Sequence, residues 1–132
     1  MDKGPLVAEE IEAGARFLRE FSQYLPVQAA FWLRANDELV RFLYVASDQI
    51  TDENFDAAYR EAGRIERQLQ DPWWDPMRLK LIGAADPLAK ATLDLQRRYP
   101  GRAPLRLCDE SFGGVIADDL YLYPTSSPAT VT

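Results

Sequence analysis

Residues 27–47 read Val-Gln-Ala-Ala-Phe-Trp-Leu-Arg-Ala-Asn-Asp-Glu-Leu-Val-Arg-Phe-Leu-Tyr-Val-Ala-Ser, and this stretch decides the fold. Val27, Ala29, Phe31 and Leu33 alternate with Gln28, Ala30, Trp32 and Arg34, the period of two that places successive side chains on opposite faces of a strand. Val40, Phe42, Tyr44 and Ala46 alternate in the same way with Leu39, Arg41, Leu43 and Val45. The link between the runs, Asn36-Asp37-Glu38, is short and polar, so the two runs predict an antiparallel hairpin.

On both sides of the hairpin the period changes. Upstream, Ile11, Ala15, Leu18, Phe21 and Leu25 recur at helical spacing, opposite Glu9, Glu10, Glu12, Arg16, Arg19 and Glu20. They predict a helix from about residue 7 to 24, stopped by Pro26. Downstream, Thr51 followed by Asp52 and Glu53 reads as a helix start, with a hydroxyl to cap an open amide and carboxylates at the positive end of the dipole. Phe55, Ala58, Tyr59, Ala62, Ile65 and Leu69 form the stripe of this second helix. Residues 77–82 read as a third strand closed by Gly83. Asp86-Pro87 then opens a third helix with a capping carboxylate and a proline at its first position. Its stripe is Leu88, Ala91, Leu95 and Tyr99, and Pro100-Gly101 ends it.

Leu105 and Leu107 alternate with Arg106 and Cys108 in a fourth strand. Gly113-Gly114 turns the chain into a last strand over 115–123, whole or broken at Asp118-Asp119. The order α-β-β-α-β-α-β-β predicts one α+β domain over residues 1–123. It would consist of a single layer of about three helices on a mostly antiparallel sheet of about five strands. Phe21, Leu33, Phe42, Tyr44, Phe55, Ile65, Leu81 and Leu95 are expected to share one core. Residues 124–132, rich in Pro, Ser and Thr, are expected to form a mobile tail.

Composition removes several classes of function. The 132 residues are 47% hydrophobic with 15 aromatic side chains, enough for a core without staples. Fifteen Lys and Arg against 21 Asp and Glu give a net charge of 15 − 21 = −6, which argues against a general nucleic-acid binder. With no histidine and a single cysteine, Cys108, a Ser-His-Asp or Cys-His catalytic set and a Cys/His metal site cannot be assembled within one chain. No cofactor is therefore expected. One thiol forms no internal disulfide, and no basic leader precedes an apolar run, so a cytoplasmic protein is expected. The longest apolar runs, Ala29 to Leu33 and Phe42 to Ala46, fall far short of the roughly 20 residues that span a bilayer, so no membrane contact is expected.

Leu43-Tyr44-Val45-Ala46-Ser47-Asp48, the helix from Phe55 to Gln70, Lys80-Leu81-Ile82-Gly83 with Asp86-Pro87-Leu88-Ala89, and Tyr121-Leu122-Tyr123-Pro124 carry a likeness. In these segments the chain resembles a family of small bacterial hypothetical proteins, from the first helix to Pro124. That family has no assigned activity, cofactor or site, so the resemblance implies a bacterial single-domain protein and transfers no functional residue.

The residues themselves offer three constellations. Asp48, Asp52 and Glu53 could hold a hard cation through oxygen ligands, although dipole and turn roles explain them equally and their spacing matches no EF-hand loop. Arg97, Arg98, Arg102 and Arg106 form the one basic concentration, read either as complement to a helix C-terminus or as a patch for an acidic partner or a phosphate. Asp71-Pro72-Trp73-Trp74-Asp75-Pro76 reads as a rigid loop whose two indoles either both plug the core edge or leave at least one facing outward as an anchor. The remaining candidates have plainer readings. Asp109-Glu110 would raise the pKa of Cys108, which reads as a small buried residue. Gly113-Gly114 is too short for a phosphate loop. The expected function is a non-catalytic protein-interaction or self-associating module. The alternative is a small carboxylate-based enzyme or anionic-ligand-binding domain using Asp48, Asp52 and arginines.

Overall fold

A computed structural model describes residues 8–35, 40–98, 105–107 and 110–123. Its elements are α1 (Ala8–Phe21), β1 (Ala29–Ala35), β2 (Phe42–Ser47), α2 (Phe55–Leu69), a 3-10 turn (Pro76–Arg78), β3 (Leu79–Gly83), α3 (Pro87–Arg98), β4 (Leu105–Leu107), β5 (Glu110–Phe112) and β6 (Val115–Leu122). The class is α+β, with three helices and a mostly antiparallel sheet among the described residues.

The expected hairpin forms. β1 and β2 pair antiparallel with Phe31 opposite Tyr44, and their rings stack at 5.1 Å. β1 pairs on its other side with β6, also antiparallel, while β2 pairs parallel with β3 because α2 carries the chain back across the sheet. The order is β3-β2-β1-β6-β4, with β5 also on β6. Among the described residues there are six strands instead of about five. Glu110–Phe112 is too short and too polar to show an alternating pattern, yet it pairs with β6 across Gly113-Gly114. Both glycines have positive φ, 58° and 91°, the pair of values that a tight type I′ hairpin turn demands. β6 stays whole through Asp118-Asp119 but bulges there. Its register to β1 slips between Arg34 and Ala35, which turns Ala117 toward the same cluster as Leu120 and Leu122.

The helices lie in two layers, where a single layer was expected. Six of the seven β1 residues are buried, so both faces of the strand need a cover. Trp32, Leu43 and Val45 meet Phe17 and Phe21 of α1 and Ala58, Ala62 and Ile65 of α2. Phe31, Leu33, Tyr44, Leu120 and Leu122 meet Leu95 of α3 on the opposite face. The single core is accordingly two cores: Phe21, Ile65 and Leu81 belong to one, and Leu33, Tyr44 and Leu95 to the other. Phe42 is only partly buried, at the margin of the second core, with the Lys80 ammonium 4.1 Å above its ring. Phe55, 39% exposed on the first turn of α2, is not a core residue.

Local signals behave as their chemistry requires. Asp86 caps α3, its Oδ1 accepting from the Leu88 N–H at 2.9 Å. At α2 the residue before the helix is Asn54 and not Thr51. The two exchange hydrogen bonds, Thr51 N–H to Asn54 Oδ1 at 2.8 Å and Asn54 N–H to Thr51 Oγ1 at 3.3 Å, so Thr51 closes the turn one step earlier. α1 stops at Phe21, short of residue 24, and hydrogen-bonded turns lead to Pro26. The third strand starts at Leu79, not residue 77, because Asp75 draws residues 76–78 into the 3-10 turn. Residues 1–7, the link 36–39, the end of the third helix at 99–101 and the tail 124–132 lie outside the described residues.

β3 is an edge strand, and its edge is guarded. The Tyr59 hydroxyl of α2 accepts from the Leu81 N–H at 2.9 Å and donates to the Leu79 carbonyl at 3.4 Å, the backbone groups that β2 leaves unused. An unpaired edge is a template for another chain. Tyr59→Phe should therefore lower stability in urea unfolding by about 0.5–1.5 kcal/mol per hydrogen bond lost and raise aggregation seen by light scattering at equal folded fraction. Unchanged aggregation would show that this hydroxyl does not guard the edge.

Candidate interaction site

The loop after α2 is held at both of its aspartates. Gln70 ends the helix in the left-handed conformation, φ 50°, and hands the chain to Asp71. Asp71 Oδ2 accepts from Arg16 Nε at 2.8 Å and Nη2 at 2.5 Å, while Oδ1 accepts from the Trp73 N–H at 3.1 Å. Asp75 repeats the motif, Oδ1 accepting from the Met77 N–H at 2.9 Å. Side chain to backbone bonds of this kind are what Asp supplies in turns.

The fixed backbone sends the adjacent indoles in different directions. Trp74 is 3% exposed, stacked on Phe17 at 4.5 Å and edge-on to Trp32 at 6.2 Å. Its indole nitrogen has no hydrogen-bond partner among the described residues, so packing alone holds it. Trp73 is 48% exposed. Of the two alternatives left open by the sequence, both indoles in the core or at least one exposed, the second is realised: Trp74 plugs the core and Trp73 stands at the surface.

Trp73 stands over a recess of about 230 Å³ lined also by Glu10, Trp32, Pro72, Asp75 and Arg78. From this recess a row of alternating charges crosses the sheet. Arg78 lies 3.8 Å from Glu10, Glu10 lies 3.3 Å from Arg41, Arg41 lies 3.8 Å from Asp119, and Asp119 takes Arg106 at 3.2 Å. Arg41 and Asp119 are buried. The lining offers an indole, carboxylates and a guanidinium, groups that recognise by packing, hydrogen bonding and ion pairing. None of them is a hydroxyl, thiol or amine nucleophile.

The other sequence candidates are not assembled into a site. Asp48 is engaged with Gln28, whose Nε2 donates to Asp48 Oδ1 at 3.1 Å and whose Oε1 accepts from the Asp48 N–H at 2.8 Å. Asp52 and Glu53 are exposed in the turn before α2, and no group of three potential ligands gathers among the described residues. Arg97 and Arg98 pair with Asp94 on their own helix at 3.5 and 3.0 Å. Arg106 pairs with Asp119 instead, toward the α1 side of the sheet, because it sits in β4 opposite Tyr121, which packs on the α1–α2 core. The basic run is therefore divided between the two faces, and Arg102 lies outside the described residues, as do Cys108 and Asp109. Sequence reasoning missed Glu10, Arg41, Arg78 and Asp119. The available signal was Arg41, a guanidinium in phase with Leu39, Leu43 and Val45 in a buried strand.

Beside the row, burial pushes the phenols of Tyr121 and Tyr123 above the ordinary tyrosine value, with Arg106 opposing the shift at Tyr121 and the Trp32 indole opposing it at Tyr123. No family model, curated protein or solved structure matches the chain. No helix of the described residues is long and apolar enough to cross a membrane.

Trp74→Ala should cost about 3–5 kcal/mol by opening a cavity against Phe17, whereas Trp73→Ala should cost less than about 1 kcal/mol. Urea unfolding of the two variants checks the contrast, and equal costs would contradict it. Folding raises the Tyr123 pKa, so the folded state keeps that proton more tightly than the unfolded chain. The associated stability is complete below about pH 10, the unfolded tyrosine value, and is lost as pH climbs beyond it. The unfolding free energy should fall as pH rises above about 10, and less steeply in Tyr123→Phe; equal slopes would show that the phenol titrates alike in both states.

Proposed function

We propose that the protein is a non-catalytic interaction module that self-associates or docks to a protein partner, with Trp73 as its anchor. The observation that carries this reading is the 48% exposure of an indole on a loop whose backbone is pinned at Asp71 and Asp75. An aromatic group already fixed in place loses little conformational entropy on binding, and tryptophan is over-represented among residues that dominate interface energies. Met77, 83% exposed in the same loop, adds an adaptable apolar contact. Glu10, Asp75 and Arg78 supply the polar rim that such contacts need. A single thiol suits a reducing compartment, which supports a cytoplasmic location for the module.

Light scattering at micromolar concentration, together with retention of a defined partner from host lysate, tests the reading. The wild type is expected either to exceed monomer mass or to retain that partner, and Trp73→Ala to lose the association with its thermal unfolding unchanged. A monomer that retains nothing overturns it.

A further inference from the structure

A second concavity, sharing no residue with the Trp73 recess, lies between the C-terminal half of α1 and the chain entering β1. It is a groove of about 240 Å³ with apolar walls from Ala15, Leu18, Val27 and Ala30. It exists because the side chains at 15, 29 and 30 are only methyl groups and because the pairing of β6 with β1 runs out near Tyr123, whose N–H donates to the Ala30 carbonyl at 3.1 Å. The polar groups of its inner wall are already committed: Gln28 to Asp48, and the Tyr123 hydroxyl to Trp32 and Ile11. At the rim stand Arg19 and Gln96, whose side chains make no hydrogen bond or ion pair among the described residues. Arg16, Arg41, Arg64, Arg78, Arg97, Arg98 and Arg106 all face carboxylates, so a rim guanidinium without one is open to an outside anion.

We propose that this groove binds a small apolar monocarboxylate, its hydrocarbon body along Leu18, Val27 and the alanines and its carboxylate on Arg19, with the Gln96 amide as a second donor. An apolar concavity with few convergent polar groups is the usual form of a small-ligand site. A carboxylate matches the guanidinium fork in charge and shape. The volume sets the size: at about 30 Å³ per water displaced, the groove exchanges about eight waters, which suits a body of the length of hexanoate or the bulk of benzoate. Acetate lacks the apolar body, and hexan-1-ol lacks the charge.

The test is a titration of the isotope-labelled full chain with sodium hexanoate, followed by amide chemical shifts, with acetate and hexan-1-ol as comparison probes. Saturable shifts confined to residues 15–22 and 27–30 and to Gln96 and Tyr123, the residues around the groove, are expected with hexanoate. Ala15→Leu, which fills the groove, should abolish them. Arg19→Gln, a change at an exposed position, should weaken hexanoate about tenfold or more, the loss of a hydrogen bond to a charged group, and leave hexan-1-ol unaffected. The spectra of the unliganded variants verify the fold. The proposal is overturned if hexanoate gives no saturable shift, if shifts survive in folded Ala15→Leu, or if Arg19→Gln binds hexanoate as well as the wild type does.

Discussion

The hydrogen-bond chain from Trp32 through Tyr123 to Ile11 is the constraint around which the molecule is arranged. The indole N–H donates to the tyrosine hydroxyl at 3.0 Å, and that hydroxyl donates to the Ile11 carbonyl at 2.6 Å. Three elements distant in sequence, β1, the end of β6 and the first half of α1, are joined by one oxygen. The close approach explains the glycine inside α1: a Cβ at Gly14 would collide with the Tyr123 hydroxyl and crowd the Trp32 ring. Glycine in a helix interior costs about 1 kcal/mol relative to alanine, and here that cost is offset by a half-buried donor and acceptor that satisfy each other. The Trp32 ring also receives the edge of Trp74, so the packing of the loop is built on the same side chain.

The row of charges on the same face of the sheet acts on register more than on net stability. Burying Arg41 and Asp119 carries a desolvation cost that ion pairing at 3.3 to 3.8 Å only partly repays. A slip of one residue, however, would turn Arg41 into the apolar layer beneath α3. With Glu10 on one side and Asp119 on the other, Arg41 fixes β2 relative to α1 and β6 at once. The pattern suits a sheet whose strands are apolar on both faces, where hydrophobicity alone leaves alternative registers close in energy.

Local chemistry made much of this fold legible. The alternation over 27–47 specifies the hairpin because neighbouring residues must face opposite ways, and Asp86-Pro87 specifies a helix start because each residue meets a separate requirement of the first turn. Two layers were foreshadowed by the unbroken Ala29 to Leu33, but alternation reports which residues share a face and not whether a helix covers both faces. The candidate site was half legible. Asp-Pro-Trp-Trp-Asp-Pro marks a stiff loop, yet the split between Trp73 and Trp74 depends on Phe17 and Arg16, which lie more than fifty residues upstream. Glu10 reads as one more carboxylate on a solvent face, and only the tertiary position of Arg41 and Arg78 makes it a wall of the recess.

The two concavities meet this frame from different sides. Trp32 lines the recess under Trp73, and Tyr123 lines the groove beside Arg19, so the shared hydrogen bond runs between them. Their chemistries differ in kind: the recess presents an open indole among charges of both signs, suited to a protein surface, and the groove presents hydrocarbon with a single cationic rim, suited to a small anion. Coupling between two sites needs an element with two discrete arrangements that both sites bias. Tyr123 has its hydroxyl engaged on two sides and Gly14 pressed against it, and Trp32 is clamped between that hydroxyl and Trp74. Packing as close as this leaves little room for either side chain to take a second position without displacing the other, which disfavours coupling between the two sites through this junction.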